Sequence, residues 1–167
     1  MILIGLGANL PGANHASPQE TLAAALIEIE AAGVPVIARS GWYSSAPVPA
    51  SDQPDYVNAV VALATDMAPG PLLTLLHDIE TRLGRVRTVR NAARIVDIDL
   101  LDYHGRVDAG WPILPHPRMA DRAFVLRPLQ DIAPDWCHPG TGEGVGDLLA
   151  RAADRDDVRP LALKSAI

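Results

Sequence analysis

The sequence predicts an α+β fold of ferredoxin-like βαββαβ form: an antiparallel sheet with helices on one face and a C-terminal extension. Three observations predict it. Hydrophobic periods of two and of 3.6 residues succeed one another as strand, helix, strand, strand, helix, strand. Each helical stretch opens at a proline and closes at a glycine. A chain of 167 residues, 49% hydrophobic and 20% charged, can bury roughly 70% of its unfolded surface in one core. A single domain over residues 1–167 is therefore expected.

Residues 2–6 are an apolar run ending in Gly7-Ala8-Asn9 and read as a buried strand, with Gly7 and Asn9 shaping the turn that follows. Ser17-Pro18-Gln19-Glu20 combines an N-cap serine, proline at N1 and glutamate at N3. Leu22, Ala25, Leu26 and Ile29 continue as a helical stripe that should stop at Gly33. Residues 34–43 and 56–65 read as two further strands, separated by a proline-rich loop. The second helix should begin near Pro69-Gly70-Pro71, carry Leu72, Leu75, Leu76, Ile79 and Leu83 on one face, and end at Gly84. An arginine-rich loop spans 85–94, and residues 95–103 alternate as the fourth strand. Short helices are expected over 118–127 and 145–153, the latter beside an edge strand. The sheet face away from the first two helices is expected to stay free for ligands.

Composition narrows the function. No apolar run approaches the ~20 residues a membrane helix needs, and the start of the chain lacks a basic segment before its apolar stretch, so a cytoplasmic protein without membrane contact is expected. Cys137 is the sole cysteine, which excludes a disulfide framework and a thiolate metal cage. The net charge of −6 argues against a nucleic-acid binder, yet residues 82–127 hold nine Arg against five Asp. With one Lys in the whole chain, nearly all cationic groups are the planar, bidentate kind suited to phosphate or carboxylate oxygens. A local anionic ligand is implied.

Asp97 and Asp99 are the sharpest pair. On a strand they project to one face with Cα atoms roughly 7 Å apart, while Val96, Ile98 and Leu100 turn to the helices. Adjacent carboxylates repel unless a cation lies between them, and hard oxygen ligands suit Mg²⁺. Alone the pair could be a solvated strand face. Arg85, Arg87, Arg90 and Arg94 upstream, and Arg118 and Arg122 downstream, favour metal-assisted phosphoryl transfer, where positioning and charge neutralisation carry the reaction. Glycine-rich phosphate loops and kinase signatures are absent. Aromatics are scarce at 4%, which draws attention to Tyr56 and Phe124. They are core residues or the two sides of a slot for a flat heterocycle, with Asn58 on the Tyr56 strand face to bond its edge. His116 stands between two prolines near the arginines.

The chain resembles the 6-hydroxymethyl-7,8-dihydropterin pyrophosphokinase family. The resemblance rests on Gly7-Ala8-Asn9-Leu10, Asp52-Gln53-Pro54-Asp55-Tyr56-Val57-Asn58-Ala59, Ile79-Glu80, Gly84-Arg85-Val86-Arg87 and Arg94-Ile95-Val96-Asp97-Ile98-Asp99-Leu100-Leu101. It extends through Pro115-His116-Pro117-Arg118-Met119, Arg122-Ala123-Phe124-Val125-Leu126 and Pro128-Leu129. These occur in family order and cover residues 1 to about 136. The resemblance implies transfer of diphosphate from ATP to the pterin hydroxymethyl group, with release of AMP, in folate biosynthesis. It implies two Mg²⁺ ions on Asp97 and Asp99, with Arg85 and Arg94 joining them in the catalytic set. Ser45, Val48, Tyr56, Asn58 and Phe124 would take the pterin, and Glu80, Arg85, Arg94, His116 and Arg122 would take ATP. A monomer is expected.

The chain departs from familiar members at Asn91, where they have Trp, at Ser45-Ala46, at Pro117 and at Trp111, and its loop is about one residue shorter. Those departures bear on Arg87 and Arg90. Two alternatives use the same fold. One is a nucleotide-binding regulatory domain without turnover, and the other is an RNA-binding domain, which would need aromatics on the open sheet and a basic surface.

Overall fold

The computed structural model describes residues 1–85 and 93–162. Arg87, Arg90 and Asn91 lie outside the described residues. Strand β1 (Ile2–Ala8) is followed by helix α1 (Pro18–Ala31), strands β2 (Val36–Arg39), β3 (Tyr43–Ser45) and β4 (Tyr56–Leu63), helix α2 (Pro69–Arg82) and strand β5 (Asp97–Tyr103). A 3-10 turn over Met119–Asp121 leads to α3 (Ala123–Ile132), α4 (Val145–Arg151) and β6 (Arg159–Pro160). The first two helices start and stop where the sequence places them. Ser17 Oγ accepts the Glu20 N–H at 3.2 Å, satisfying an orphan donor of the α1 first turn, while the Glu20 carboxylate accepts the Ala16 N–H at 2.9 Å and ties down the residue before the cap. Gly33 and Gly84 end the helices at φ of 81° and 96°, which a Cβ would strain.

The sheet runs β5-β1-β4-β3-β6, with β2 also pairing β4, and the registered strand pairs are antiparallel. The strand expected over 34–43 is two segments on the same edge of β4. Ser40 causes the break. Its N–H donates to the Val60 carbonyl at 3.0 Å, but its hydroxyl accepts the Val60 N–H, also at 3.0 Å, in place of a ladder carbonyl. Gly41 then gives its N–H to the Asp131 carboxylate at 3.2 Å, so the ladder pauses before resuming at Tyr43.

One sheet face packs on α1 and α2 through Ile2, Ile4, Leu6, Ile98 and Leu100 against Leu22, Ile29, Leu72, Leu76 and Ile79, all buried. The opposite face is not free along its length, contrary to the expectation. Leu3, Val60, Ala62 and Leu101 on that face are covered by Val125, Leu126 and Leu129 of α3 and Leu148 and Leu149 of α4. Fully burying each such side chain is worth about 2 kcal/mol. That gain holds α3 together through Pro128, which has no N–H to give, and the helix runs to Ile132, past the end expected at 127. The C-terminal extension closes half of the face and leaves the other half, at the ends of β4 and β5, open. No helix among the described residues is long and apolar enough to cross a membrane.

Candidate active site

The open half of the face is built from period-two alternation. Gly5 and Gly7 of β1, Tyr56 and Asn58 of β4, and Asp97 and Asp99 of β5 line a solvent-open cleft. A bulge marks its closed end. Leu3 pairs with Asp102 but Ile4 with Leu100, so Leu101 is the extra residue, and it and Asp102 both turn toward α3. A Cβ on Gly5 would stand 3.4 Å from the Leu101 side chain; glycine there keeps the floor low. Asp102 is buried and accepts the Trp136 indole N–H at 2.8 Å, which ties the bulge to the extension.

Of the residues expected to take a pterin, Ser45, Val48, Tyr56, Asn58 and Phe124 all line this cleft. Asn58 and Ser45 are both about 4% exposed, and the Asn58 amide donates to Ser45 Oγ at 2.9 Å, so that amide is held in one orientation. Burial raises the Tyr56 phenol pKa, which keeps the ring neutral. The Arg122 guanidinium lies over the Phe124 ring, 5.4 Å from its centre.

A second cleft is lined by Arg85, Arg94, Arg118 and Arg122 with His77, His116, Asp97 and Asp99. It shares Arg94, Asp97, Asp99 and Arg122 with the first. An aromatic cleft and a cationic cleft thus meet at two carboxylates and two guanidinium groups. Arg118 stood among the flanking arginines in the sequence, and His77 was not singled out. Its signal is its position one turn before Glu80 on the face of α2 that meets β5.

Asp97 is paired twice: Arg85 Nη1 lies 2.5 Å from its Oδ1, and Arg94 Nη1 pairs with its Oδ2. Glu80 lines neither cleft. It is 1% exposed, accepts the Ile98 N–H at 2.7 Å and pairs with Arg85, so it fixes Arg85 rather than facing a ligand directly. Burial first, and then the Asp97 charge, raise the Asp99 carboxyl pKa. Burial lowers the His116 pKa, so the ring is neutral near pH 7. His116 Nδ1 accepts the Arg118 N–H at 3.2 Å, which leaves the ring proton on Nε2, 3.9 Å from Asp99.

No group of three His, Cys, Asp or Glu able to hold a metal exists among the described residues. The Asp97 and Asp99 pair still fits Mg²⁺, which commonly takes one or two protein carboxylates and completes its shell with water and phosphate oxygens.

Fold and site together outline a small α+β protein in which a cleft with Tyr56 and Phe124 adjoins an arginine-rich one across a carboxylate pair, an arrangement of the kind phosphotransfer chemistry uses. The family model described as 7,8-dihydro-6-hydroxymethylpterin-pyrophosphokinase matches residues 3–134, and the chain belongs to that family. The 2-amino-4-hydroxy-6-hydroxymethyldihydropteridine pyrophosphokinase of Pseudomonas aeruginosa is 42% identical over 83% of this chain and 86% of its own length. The enzyme of that name from Synechocystis is 36% identical over 96% and 80%. A folic acid synthesis protein of Pneumocystis carinii is 34% identical over 96% of this chain, which spans 21% of that protein. The Plasmodium falciparum HPPK-DHPS structure with pteroate superposes on 97% of the chain with a TM-score of 0.71 at 12% identity, and this chain spans 48% of it. The chain is a pyrophosphokinase of the hydroxymethyldihydropterin step of folate synthesis. Neither the regulatory nor the RNA-binding alternative finds support among these relatives.

Proposed function

We propose that this chain moves the diphosphate of ATP onto the hydroxymethyl oxygen of 6-hydroxymethyl-7,8-dihydropterin in a Mg²⁺-dependent reaction that releases AMP. The observation that carries this reading is the junction: Arg94, Asp97, Asp99 and Arg122 belong to both clefts. An acceptor seated in the aromatic cleft and a triphosphate seated in the cationic one would meet there. Alignment of the two reactants is the main source of rate in such chemistry.

In this reading Tyr56 and Phe124 offer their ring faces to the pterin, and Asn58, braced by Ser45, bonds its edge. Val48 closes the slot on the loop side. Arg85, Arg94, Arg122 and His116 bind the triphosphate oxygens, with Glu80 holding Arg85 in line. Asp97 and Asp99 would hold the two Mg²⁺ ions, which would neutralise charge on the phosphate oxygens. The hydroxymethyl oxygen forms a bond to the β-phosphorus as the bond from that phosphorus to the α,β-bridging oxygen breaks. AMP leaves with that oxygen, and the hydroxyl proton passes to water with no strong general base needed, Asp97, already paired with Arg85 and Arg94, at most assisting. The sheet order, with β1 between β5 and β4 and with β2 and β3 on the far edge of β4, supports a ferredoxin-like reading of the fold.

The test is AMP release from ATP with and without the pterin and with and without EDTA. AMP that requires both pterin and divalent metal is the expected result. ADP in place of AMP, or AMP formed without pterin, would overturn the reading.

A further inference from the structure

We propose that Asn9 is a positioning residue that couples the two clefts, so that filling one tightens the other. The inference rests on the assignment of pterin and nucleotide to those clefts. Asn9 follows the last residue of β1 and is 2% exposed. Its Oδ1 accepts the Arg94 N–H at 2.7 Å. Its Nδ2 donates to Gln53 Oε1 at 3.1 Å and to the Pro54 carbonyl at 3.2 Å. Its own N–H and that of Leu10 donate back to the Arg94 carbonyl at 3.0 and 3.1 Å.

This orientation is dictated by chemistry. The Arg94 N–H can only donate and the Pro54 carbonyl can only accept, so the amide cannot be reversed without setting like groups against each other. Both hydrogens of Nδ2 are used. One neutral side chain therefore joins two segments that are 44 and 85 residues away in sequence. Gln53 lines the aromatic cleft, while Arg94 lines both clefts and pairs with Asp97. A shift of the 53–54 segment toward a bound ring pulls on the amide, and the amide pulls on the Arg94 backbone. In a buried place each of these bonds is costly to leave unmade. No other common side chain of this size offers an acceptor and two donors on one rigid plane.

Asn9→Asp tests this. It keeps the acceptor for Arg94 but turns an oxygen toward Gln53 Oε1 and Pro54 O. The measurement is the dissociation constant of 6-hydroxymethyl-7,8-dihydropterin, by calorimetry, with and without Mg²⁺ and α,β-methylene-ATP. The ratio of the two values is the coupling factor. In the unaltered chain the analogue should tighten pterin binding about tenfold. In Asn9→Asp the factor should fall below about three, with the affinity for each ligand alone within about threefold of the parent. Thermal unfolding runs beside it, because a purely structural role would lower the melting temperature and leave the factor unchanged. A folded Asn9→Asp chain with the parent's factor overturns the inference. If Asn9→Asp does not fold, Gln53→Leu removes one acceptor and leaves the Arg94 bonds, and an undiminished factor there overturns it equally. A parent chain that binds both ligands with a factor of one overturns the coupling alone; a parent that binds neither overturns the functional reading as well.

Discussion

Arg85 Nη1 lies 2.5 Å from Asp97 Oδ1, and Arg94 holds the other oxygen of the same carboxylate. A divalent cation can share Asp97 only if a guanidinium gives way, and phosphate oxygens are the natural place for it to go. Metal and nucleotide should therefore bind as a set. Arg94→Ala should tighten Mn²⁺ binding in the absence of nucleotide by about fivefold, since one competing charge is gone. The same variant should weaken ATP by about tenfold or more, since a charge-assisted contact is lost. Electron paramagnetic resonance of free Mn²⁺ reads the first and equilibrium dialysis the second. Weakening of both would show that Arg94 does not compete with metal at Asp97.

Tyr56 and Phe124 line the same cleft but differ in what stands behind them. Arg122 lies over the Phe124 ring and faces the cationic cleft; Tyr56 lies in the aromatic cleft alone. Tyr56→Ala should weaken pterin binding by about 10- to 100-fold, the worth of one ring stacked on a heterocycle, and leave ATP within about threefold. Phe124→Ala should weaken both, because Arg122 loses the surface it rests on. Fluorescence titration with each ligand separates the two. Equal losses of ATP affinity in the two variants would count against the division of the clefts.

The carboxylate pair was legible because a strand has period two: Asp97 and Asp99 share a face whatever surrounds the strand, and Val96 and Ile98 bury themselves opposite. The two first helices were legible because Ser17, Pro18, Gly33 and Gly84 are local signals. The break after β2 was not, because Ser40 interrupts the ladder through Val60, which is 20 residues away. The covered half of the sheet was missed for a similar reason. Pro128 argues locally against a helix, and burial of Leu126 and Leu129 against Leu3 and Leu101 overrides it. The scarcity of aromatics offered Tyr56 and Phe124 as core residues or as one slot, and only the fold decides between them, since no local pattern brings residues 68 positions apart together. Asn9 reads locally as a turn residue, and its partners at Gln53 and Arg94 come from the fold.

The last prediction concerns the tie between β3 and the extension. The Tyr43 hydroxyl donates to the Asp131 carboxylate at 2.8 Å, and the same carboxylate accepts the Gly41 N–H. Burial, then the hydrogen bond to Asp131 and its charge, push the Tyr43 phenol up to about 12 from its ordinary 10.0. A proton held more tightly in the folded chain stabilises it fully below the unfolded value. That contribution is lost as pH rises through the folded value, so it should fade between about pH 10 and 12. Tyr43→Phe should lower stability at pH 8 by about 1–3 kcal/mol, because Asp131 keeps its charge and loses a donor. By pH 12 the gap between parent and variant should have narrowed to well under half of that. Urea unfolding of both chains at pH 8, 10 and 12 measures it. A gap that stays constant across the three values would mean that the Tyr43 proton takes no part in holding α3 to the sheet.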